Sequence, residues 1–258
     1  MKLGVCASPD KVELAAQAGF DYVEFSLSYI AGMEEEAFQE LAAKAPSFPI
    51  PALKCNGFFP GTVKLTGPDV CMKQVEEYLE KALSRAKKLG IKVLVLGSGG
   101  ARQVPEGWDF AKGWQQFMEV LKLVGEYAEK YDMDVALEPL RRKECNILNL
   151  VSEGLLVSAA VNHPRINVLG DTFHMHCCRE PLSSLTNAGD RLRHVHVSCP
   201  KADESGRVFP ARNDGQDYAA LINTLKEMNY QGDVSVEAAC NDFLEDGKEV
   251  IACMRHLF

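Results

Sequence analysis

The chain has 258 residues, of which 28 are basic and 36 acidic, for a formal net charge of -8. With 47% apolar and 25% charged residues it has ordinary globular composition, and its length can bury a large core without disulfides or a structural metal. No apolar stretch reaches the roughly 18 residues of a membrane-spanning helix, and the acidic balance argues against a nucleic-acid partner, whose affinity rests on neutralising phosphates.

Short β-branched apolar runs alternate along the chain with amphipathic stretches. The first run is Leu3–Ala7, followed by a helical pattern with Asp10 at its expected N-cap and Gly19 at its C-cap. Runs at Tyr22–Ser26 and Pro51–Asn56 follow. Asp69 then stands where a cap belongs before Gln74–Leu89, a helix with Val75, Leu79, Ala82, Leu83 and Ala86 on one face and Gly90 closing it. The fourth run is Lys92–Gly97. Asp109 caps the next helical pattern, Trp114–Tyr131, whose apolar face carries Phe117, Val120, Leu121, Val124, Tyr127 and Ala128. The fifth and sixth runs are Val135–Glu138 and Ile166–Asp171. Only Pro181–Asn187 is then left to build a crossover helix before the seventh run, Leu192–Ser198. Tyr218–Met228, closed by Gly232, leads to the eighth run, Val234–Glu237, and Glu249–Leu257 is a last helical pattern.

Strands that are apolar almost throughout are buried on both faces, as in parallel sheets. Eight such strand–helix units without a dividing linker predict one domain over residues 1–258, a closed (β/α)8 TIM barrel, with an open doubly wound sheet as the rival. The irregular segments Cys55–Pro68, Gly97–Asp109, Glu138–Leu148 and Cys199–Asp217 each follow a strand. They would crowd the C-terminal rim, where barrel enzymes place their chemistry. The N-terminus has no long apolar region or cleavage signal, and the nine cysteines are scattered without a C-x-x-C pair. A cytoplasmic protein with reduced thiols is therefore expected.

Four successive runs end in residues able to bind a metal: Glu138, Asp171, His196 and Glu237. A mixed set of oxygens and one nitrogen suits a divalent ion of intermediate hardness, such as Mn²⁺, Co²⁺, Fe²⁺ or Mg²⁺. His194 lies two residues before His196 and points the same way, so it is either packed lower in the barrel or exchanges roles with His196. His174-Met175-His176-Cys177-Cys178 is soft-ligand rich, but five adjacent residues cannot all face one ion, and no zinc site is expected there. Gly97-Ser98-Gly99-Gly100 could cradle a phosphate on its amides, yet Arg102 breaks the G-x-G-x-x-G pattern of a dinucleotide fold. Phe58, Phe59 and Trp108 either wall a sugar pocket or anchor loops.

These motifs carry a resemblance. The chain resembles the xylose-isomerase-like barrel superfamily of sugar isomerases and epimerases, and within it is most similar to the D-tagatose and D-allulose 3-epimerases. Glu138-Pro139-Leu140-Arg141-Arg142-Lys143-Glu144 with Leu148-Asn149 is similar to the family's E-P-L-N-R-x-E and L-N. Asp171-Thr172-Phe173-His174-Met175 matches D-T-F-H-M, His194-Val195-His196 matches H-x-H, and Arg207-Val208-Phe209-Pro210 is similar to R-x-x-P. Tyr230-Gln231-Gly232 precedes the family's V-x-E around Glu237. The resemblance implies one metal ion, Mn²⁺ before Co²⁺ or Mg²⁺, held by Glu138, Asp171, His196 and Glu237. It also implies substrate contacts by Glu144, His174 and Arg207, and a homodimer or homotetramer. Arg141 and Cys199-Pro200 depart from the family, which usually has Asn and an acidic residue at those places. Arg141 and Arg142 would suit an anionic substrate group.

The expected chemistry is proton abstraction beside a ketose carbonyl through a cis-enediolate, in which a divalent ion acts as Lewis acid. Returning the proton to the opposite face requires two carboxylates, Glu138 and Glu237. The alternative on the same site is a lyase or dehydratase acting on an oxidised sugar or glycoside. An abasic-site endonuclease of the superfamily would need more ligands than a chain with six histidines readily supplies, and a basic face. A non-catalytic sugar-binding barrel has no need of all four ligands.

Overall fold

Strands that are apolar on both faces need cover on both, and this chain supplies it by closing its sheet. A computed structural model describes all 258 residues. The strands in chain order are β1 Leu3–Cys6, β2 Tyr22–Ser26, β3 Ala52–Asn56, β4 Val93–Leu96, β5 Asp134–Leu137, β6 Ile166–Asp171 and β7 Leu192–Val197. A short rim ribbon, β8 Cys199–Pro200 with β9 Arg207–Val208, follows, and then β10 Val234–Val236. Eight of these are parallel and form a closed barrel in the order β1-β10-β7-β6-β5-β4-β3-β2, while β8 and β9 pair antiparallel. The chain has the TIM-barrel fold.

Alternation along each strand divides the interior into two regions. Leu94 and Leu96 of β4, Val135 and Leu137 of β5 and Val168 of β6 join the large apolar core between barrel and helices. Their alternates Val93, Val95, Ala136 and Leu169 form a small separate cluster inside the barrel. The rest of the inner wall is polar but buried: Glu24, Lys54, His194, His196 and Ser235 are all at most 5% exposed. Buried charge at this density is tolerated only where it is paired, and Lys54 Nζ is 3.1 Å from Asp233 Oδ2.

The helices over 72–88 and 110–130 present the predicted apolar faces, each beginning a few residues earlier than the periodicity alone indicates. Asp109 caps the second of them, its Oδ1 accepting from the N–H groups of Ala111 and Lys112. Gly19 and Gly90 close their helices with φ of 107° and 80°. Three expected caps are corrected. Asp10 lies inside the 3-10 turn Pro9–Lys11 and accepts from Ser8 Oγ. Asp69 stops short of its helix, which begins at Met72 after Cys71. The left-handed residue after Tyr218–Glu227 is Asn229 (φ 55°), not Gly232. Gly232 serves space instead: a Cβ there would lie 2.2 Å from the Tyr230 hydroxyl. Between β6 and β7 the crossover uses two short helices, Thr172–Cys177 and Ser183–Ala188, consistent with the thin sequence signal there.

Candidate metal centre and active site

Parallel pairing brings four strand ends to one level of the barrel. Asp171 and His196 are register partners on β6 and β7, and His196 pairs with Ser235 on β10. Glu138 extends β5, its N–H donating to Leu96 O at 3.0 Å, and Glu237 extends β10, its N–H donating to Val197 O at 3.2 Å. The side chains converge: His196 Nδ1 is 3.0 Å from Glu237 Oε2, 3.5 Å from Glu138 Oε1 and 3.7 Å from Asp171 Oδ2. One ligand atom from each of the four residues lies within 4.8 Å of every other.

These residues fit a cation. Three carboxylates and an imidazole share one buried volume, and Glu138 Oε1 and His196 Nδ1 are both buried without a hydrogen-bond partner. Unpaired buried acceptors are costly, and a divalent ion facing both would satisfy them. Asp171 divides its oxygens: Oδ1 accepts from the N–H groups of Phe173 (2.7 Å) and His174 (3.3 Å), capping the following helix, which leaves Oδ2 for the cluster.

The electrostatics are uneven around the ring. Burial, reinforced by the neighbouring Glu237 charge, raises the Glu138 carboxyl above its ordinary value. Burial acts on Glu237 too, but His196 and Arg207 outweigh it and hold that carboxyl low. Burial likewise raises Asp171, yet Arg207 and His174 overcome it and keep the group far below the usual range. Arg207, on β9, donates to Asp171 Oδ2 at 2.5 Å and to Glu237 Oε2 at 2.6 Å. The rim ribbon thus places its guanidinium against the cluster.

Of the other expected residues, His174 reaches the cluster and Glu144 does not. His174 is buried with Nε2 3.8 Å from Glu138 Oε1. Its Nδ1 accepts the Arg141 N–H at 3.2 Å, so the proton of the neutral ring sits on Nε2 and faces inward. Glu144 is held by Arg141 instead, Nε to Oε1 2.6 Å, and its carboxylate is partly open to solvent. Arg141 also stacks over Phe173, 4.6 Å from its ring centroid, and donates to Glu204 O. The departure from the family pattern at 141 therefore engages the very residue expected at the substrate. Phe58 and Phe59 are buried in the main core. Cys177 and Cys178 belong to neither of the two clusters able to hold an ion.

Several supporting residues have no role assigned from the sequence. Glu24 on β2 is fully buried between His194 and His196. Asn56 Nδ2 at the end of β3 donates to Glu237 Oε1 at 2.7 Å. The glycines of the run admit close neighbours: Gly97 leaves room for Glu138, since a Cβ would lie 2.1 Å from Oε2, and at Gly99 one would lie 2.8 Å from Glu144 O. Arg102 is fully buried without a carboxylate partner and donates to the carbonyls of Leu96 (3.2 Å), Glu138 (2.8 Å) and Leu148 (3.3 Å). Replacing Arg102 by Leu leaves the Glu138 carbonyl unpaired beside the cluster. A loss of about 2–4 kcal/mol is expected in urea unfolding; a change below about 0.5 kcal/mol, the size of an ordinary surface substitution, would contradict this role.

The sequence model of the family described as "Xylose isomerase-like TIM barrel" matches residues 12–257. The chain belongs to that family. It is 27% identical over 230 residues to a "Probable ketose 3-epimerase" of Synechocystis, covering 87% of this chain and 76% of the relative. It is also 27% identical over 235 residues to a "D-psicose 3-epimerase" of Ruminiclostridium cellulolyticum, covering 88% and 76%. Among solved structures, a D-psicose 3-epimerase crystallised in the presence of D-fructose superposes with a TM-score of 0.86 at 20% identity, over 100% of this chain and 99% of that one. The chain is an enzyme of the isomerase class, a carbohydrate epimerase or aldose–ketose isomerase.

Proposed function

We propose that this enzyme is a metal-dependent ketose 3-epimerase. The observation that carries the reading is the convergence of Glu138 and Glu237, from strands separated by two others, on one buried cluster completed by Asp171 and His196. The ketose 3-epimerase names of the relatives support it. Epimerisation at a carbon beside a carbonyl removes a proton from one face and returns one to the other. Two carboxylates are the least machinery that does this, and Glu138 and Glu237 take the two roles in the order set by the substrate's configuration. The Nε2–H of His174 and the guanidinium of Arg207 donate to the sugar oxygens at the reacting end and so favour charge on the carbonyl oxygen. Asp171 keeps Arg207 oriented, and Asn56 keeps Glu237 in place. Glu144 serves at the outer edge of the site, where Arg141 holds it ready for a substrate hydroxyl.

Glu138, Asp171, His196 and Glu237 would hold one divalent ion, Mn²⁺ in preference to Co²⁺ or Mg²⁺, which supplies Lewis-acid polarisation of the sugar oxygens when bound. The same reading makes the protein a cytoplasmic homodimer or homotetramer acting on a small sugar, without a nucleic-acid or membrane partner. Two tests bear on it. Binding of Mn²⁺ to the folded state alone adds about 2.7 kcal/mol of stability at a hundredfold excess over Kd. At about 2–4 °C per kcal/mol for a domain of this size, Tm should rise by roughly 5–10 °C. No shift with any of Mn²⁺, Co²⁺, Mg²⁺ or Zn²⁺ would contradict the metal site. Mass spectrometry of the product should show an isomer of unchanged mass; a product lighter by one water would make the enzyme a dehydratase.

A further inference from the structure

We infer that Glu24 is a positioning residue that fixes the tautomer of His196 and thereby makes its Nδ1 a metal ligand; this rests on the metal site proposed above. The imidazole of His196 has two nitrogens in different surroundings. Nδ1 faces Glu138, Asp171 and Glu237, and Nε2 lies 3.0 Å from Glu24 Oε1. A neutral imidazole carries one proton, and a carboxylate only accepts. With Glu24 accepting at Nε2, the proton stays there and the Nδ1 lone pair is free toward the cluster. A carboxylate or carbonyl behind a metal-bound histidine orients the ring and raises its basicity.

Three side chains surround Glu24: Cys6 groups with it and His196, and its two oxygens face the two histidines. Glu24 is 0% exposed, and so are His194 and His196. Its second oxygen, Oε2, is 2.9 Å from His194 Nε2. His194 Nδ1 is 3.0 Å from the Asp233 carbonyl, which can only accept, so His194 carries a proton on Nδ1. Ser235 Oγ closes the group, 3.1 Å from His194 Nε2 and 2.7 Å from the Tyr22 hydroxyl. A carboxylate in the middle of an apolar parallel strand, between Val23 and Phe25, is expensive to bury. Here it is spanned by two imidazoles whose rings meet edge to face at 4.9 Å between centroids. With its proton on Nδ1, His194 presents a bare Nε2 that accepts from the Ser235 hydroxyl, so Glu24 is held by the Nε2–H of His196 and in turn holds that ring.

The test is metal affinity, measured by titration calorimetry with Mn²⁺ on full-length protein. Glu24→Leu removes the acceptor and should weaken Mn²⁺ binding by about 10–100-fold, the usual effect of losing such a partner. Glu24→Gln restores an acceptor oxygen for His196 and offers an amide N–H to His194 Nε2, so it should bind Mn²⁺ within about threefold of wild type, well short of the Leu variant's loss. Wild-type affinity in the Leu variant, or a Gln variant as weak as the Leu variant, would overturn the inference. A measurement on the unaltered chain guards against misfolding of the variants. With Zn²⁺ as a diamagnetic probe, ¹⁵N NMR of labelled histidines should show His196 metal-bound through Nδ1 and protonated at Nε2. A ring protonated at Nδ1 would overturn the inference while leaving the metal site standing. Wild-type protein that takes up neither ion would overturn both.

Discussion

Glu138→Gln and Glu237→Gln should each reduce epimerisation at a ketose C3 by at least about a thousandfold, the scale of losing a positioned acid–base group. Each change keeps the shape of the side chain and removes its ability to take up a proton. Most supporting contacts remain available to an amide: Arg102 reaches the backbone carbonyl of residue 138, and at 237 the amide oxygen can accept from Arg207 while Asn56 turns its Oδ1 toward the new NH2. Folding should therefore be preserved, and unfolding midpoints in the absence of metal should stay within a few degrees of wild type. A carboxylate that only lines the barrel would instead leave epimerisation within about tenfold of wild type, well below the acid–base range. Because epimerisation uses one group on each face, loss of either residue stops turnover in both directions. An enzyme that loses activity with only one of the two substitutions would not be working by this two-carboxylate route.

Gly97→Ala should be nearly as damaging, although residue 97 has no chemistry of its own. The added methyl would stand 2.1 Å from Glu138 Oε2 and 3.2 Å from its Cδ, well inside contact distance. The backbone of Glu138 is tied to Leu96 O and to Arg102, so the clash is relieved by moving its carboxylate away from the cluster. A displacement on the order of 1 Å at a reacting group costs about a hundredfold in rate, and Mn²⁺ affinity should fall with it. Gly100→Ala is the control: nothing lies within 4 Å of its added Cβ, and it sits in the helical turn Gly99–Arg102. That variant should match wild type in activity. If Gly97→Ala were equally silent, the tight fit between the end of β4 and Glu138 would not matter to function.

The barrel was legible because strands buried on both faces announce themselves as near-continuous apolar runs, and all eight runs became barrel strands. The cluster of Glu138, Asp171, His196 and Glu237 was legible for a related reason. One carboxylate at a strand end can simply be a cap, as Asp171 also is, but four such residues on successive strands are brought together by parallel register, as Asp171 and His196 are. Residues whose role depends on a distant partner were not legible. Arg102 acts on carbonyls of Glu138 and Leu148 far along the chain, and Asn56 acts on a residue 181 positions away. Glu24 did leave a signal, a charge inside the apolar run Tyr22–Ser26, but nothing local says that its partners are two histidines on β7. The glycine run is ambiguous for a physical reason: small residues permit close approach of any group, and the groups brought close here include Glu138 and Glu144. The cap errors at Asp10 and Asp69 have the same origin, since a favourable residue type near a helix start does not fix which residue begins it.

The most direct test of the account is proton exchange in D₂O. Mn²⁺-loaded protein would be incubated with fructose, tagatose, allulose, sorbose and ribulose, and the C3 and C1 protons followed by NMR. The account predicts loss of the C3 signal together with appearance of the C3 epimer for at least one of these ketoses, with the C1 protons retained. Exchange at C1 with formation of an aldose, or no exchange at C3 in any of them, would contradict it.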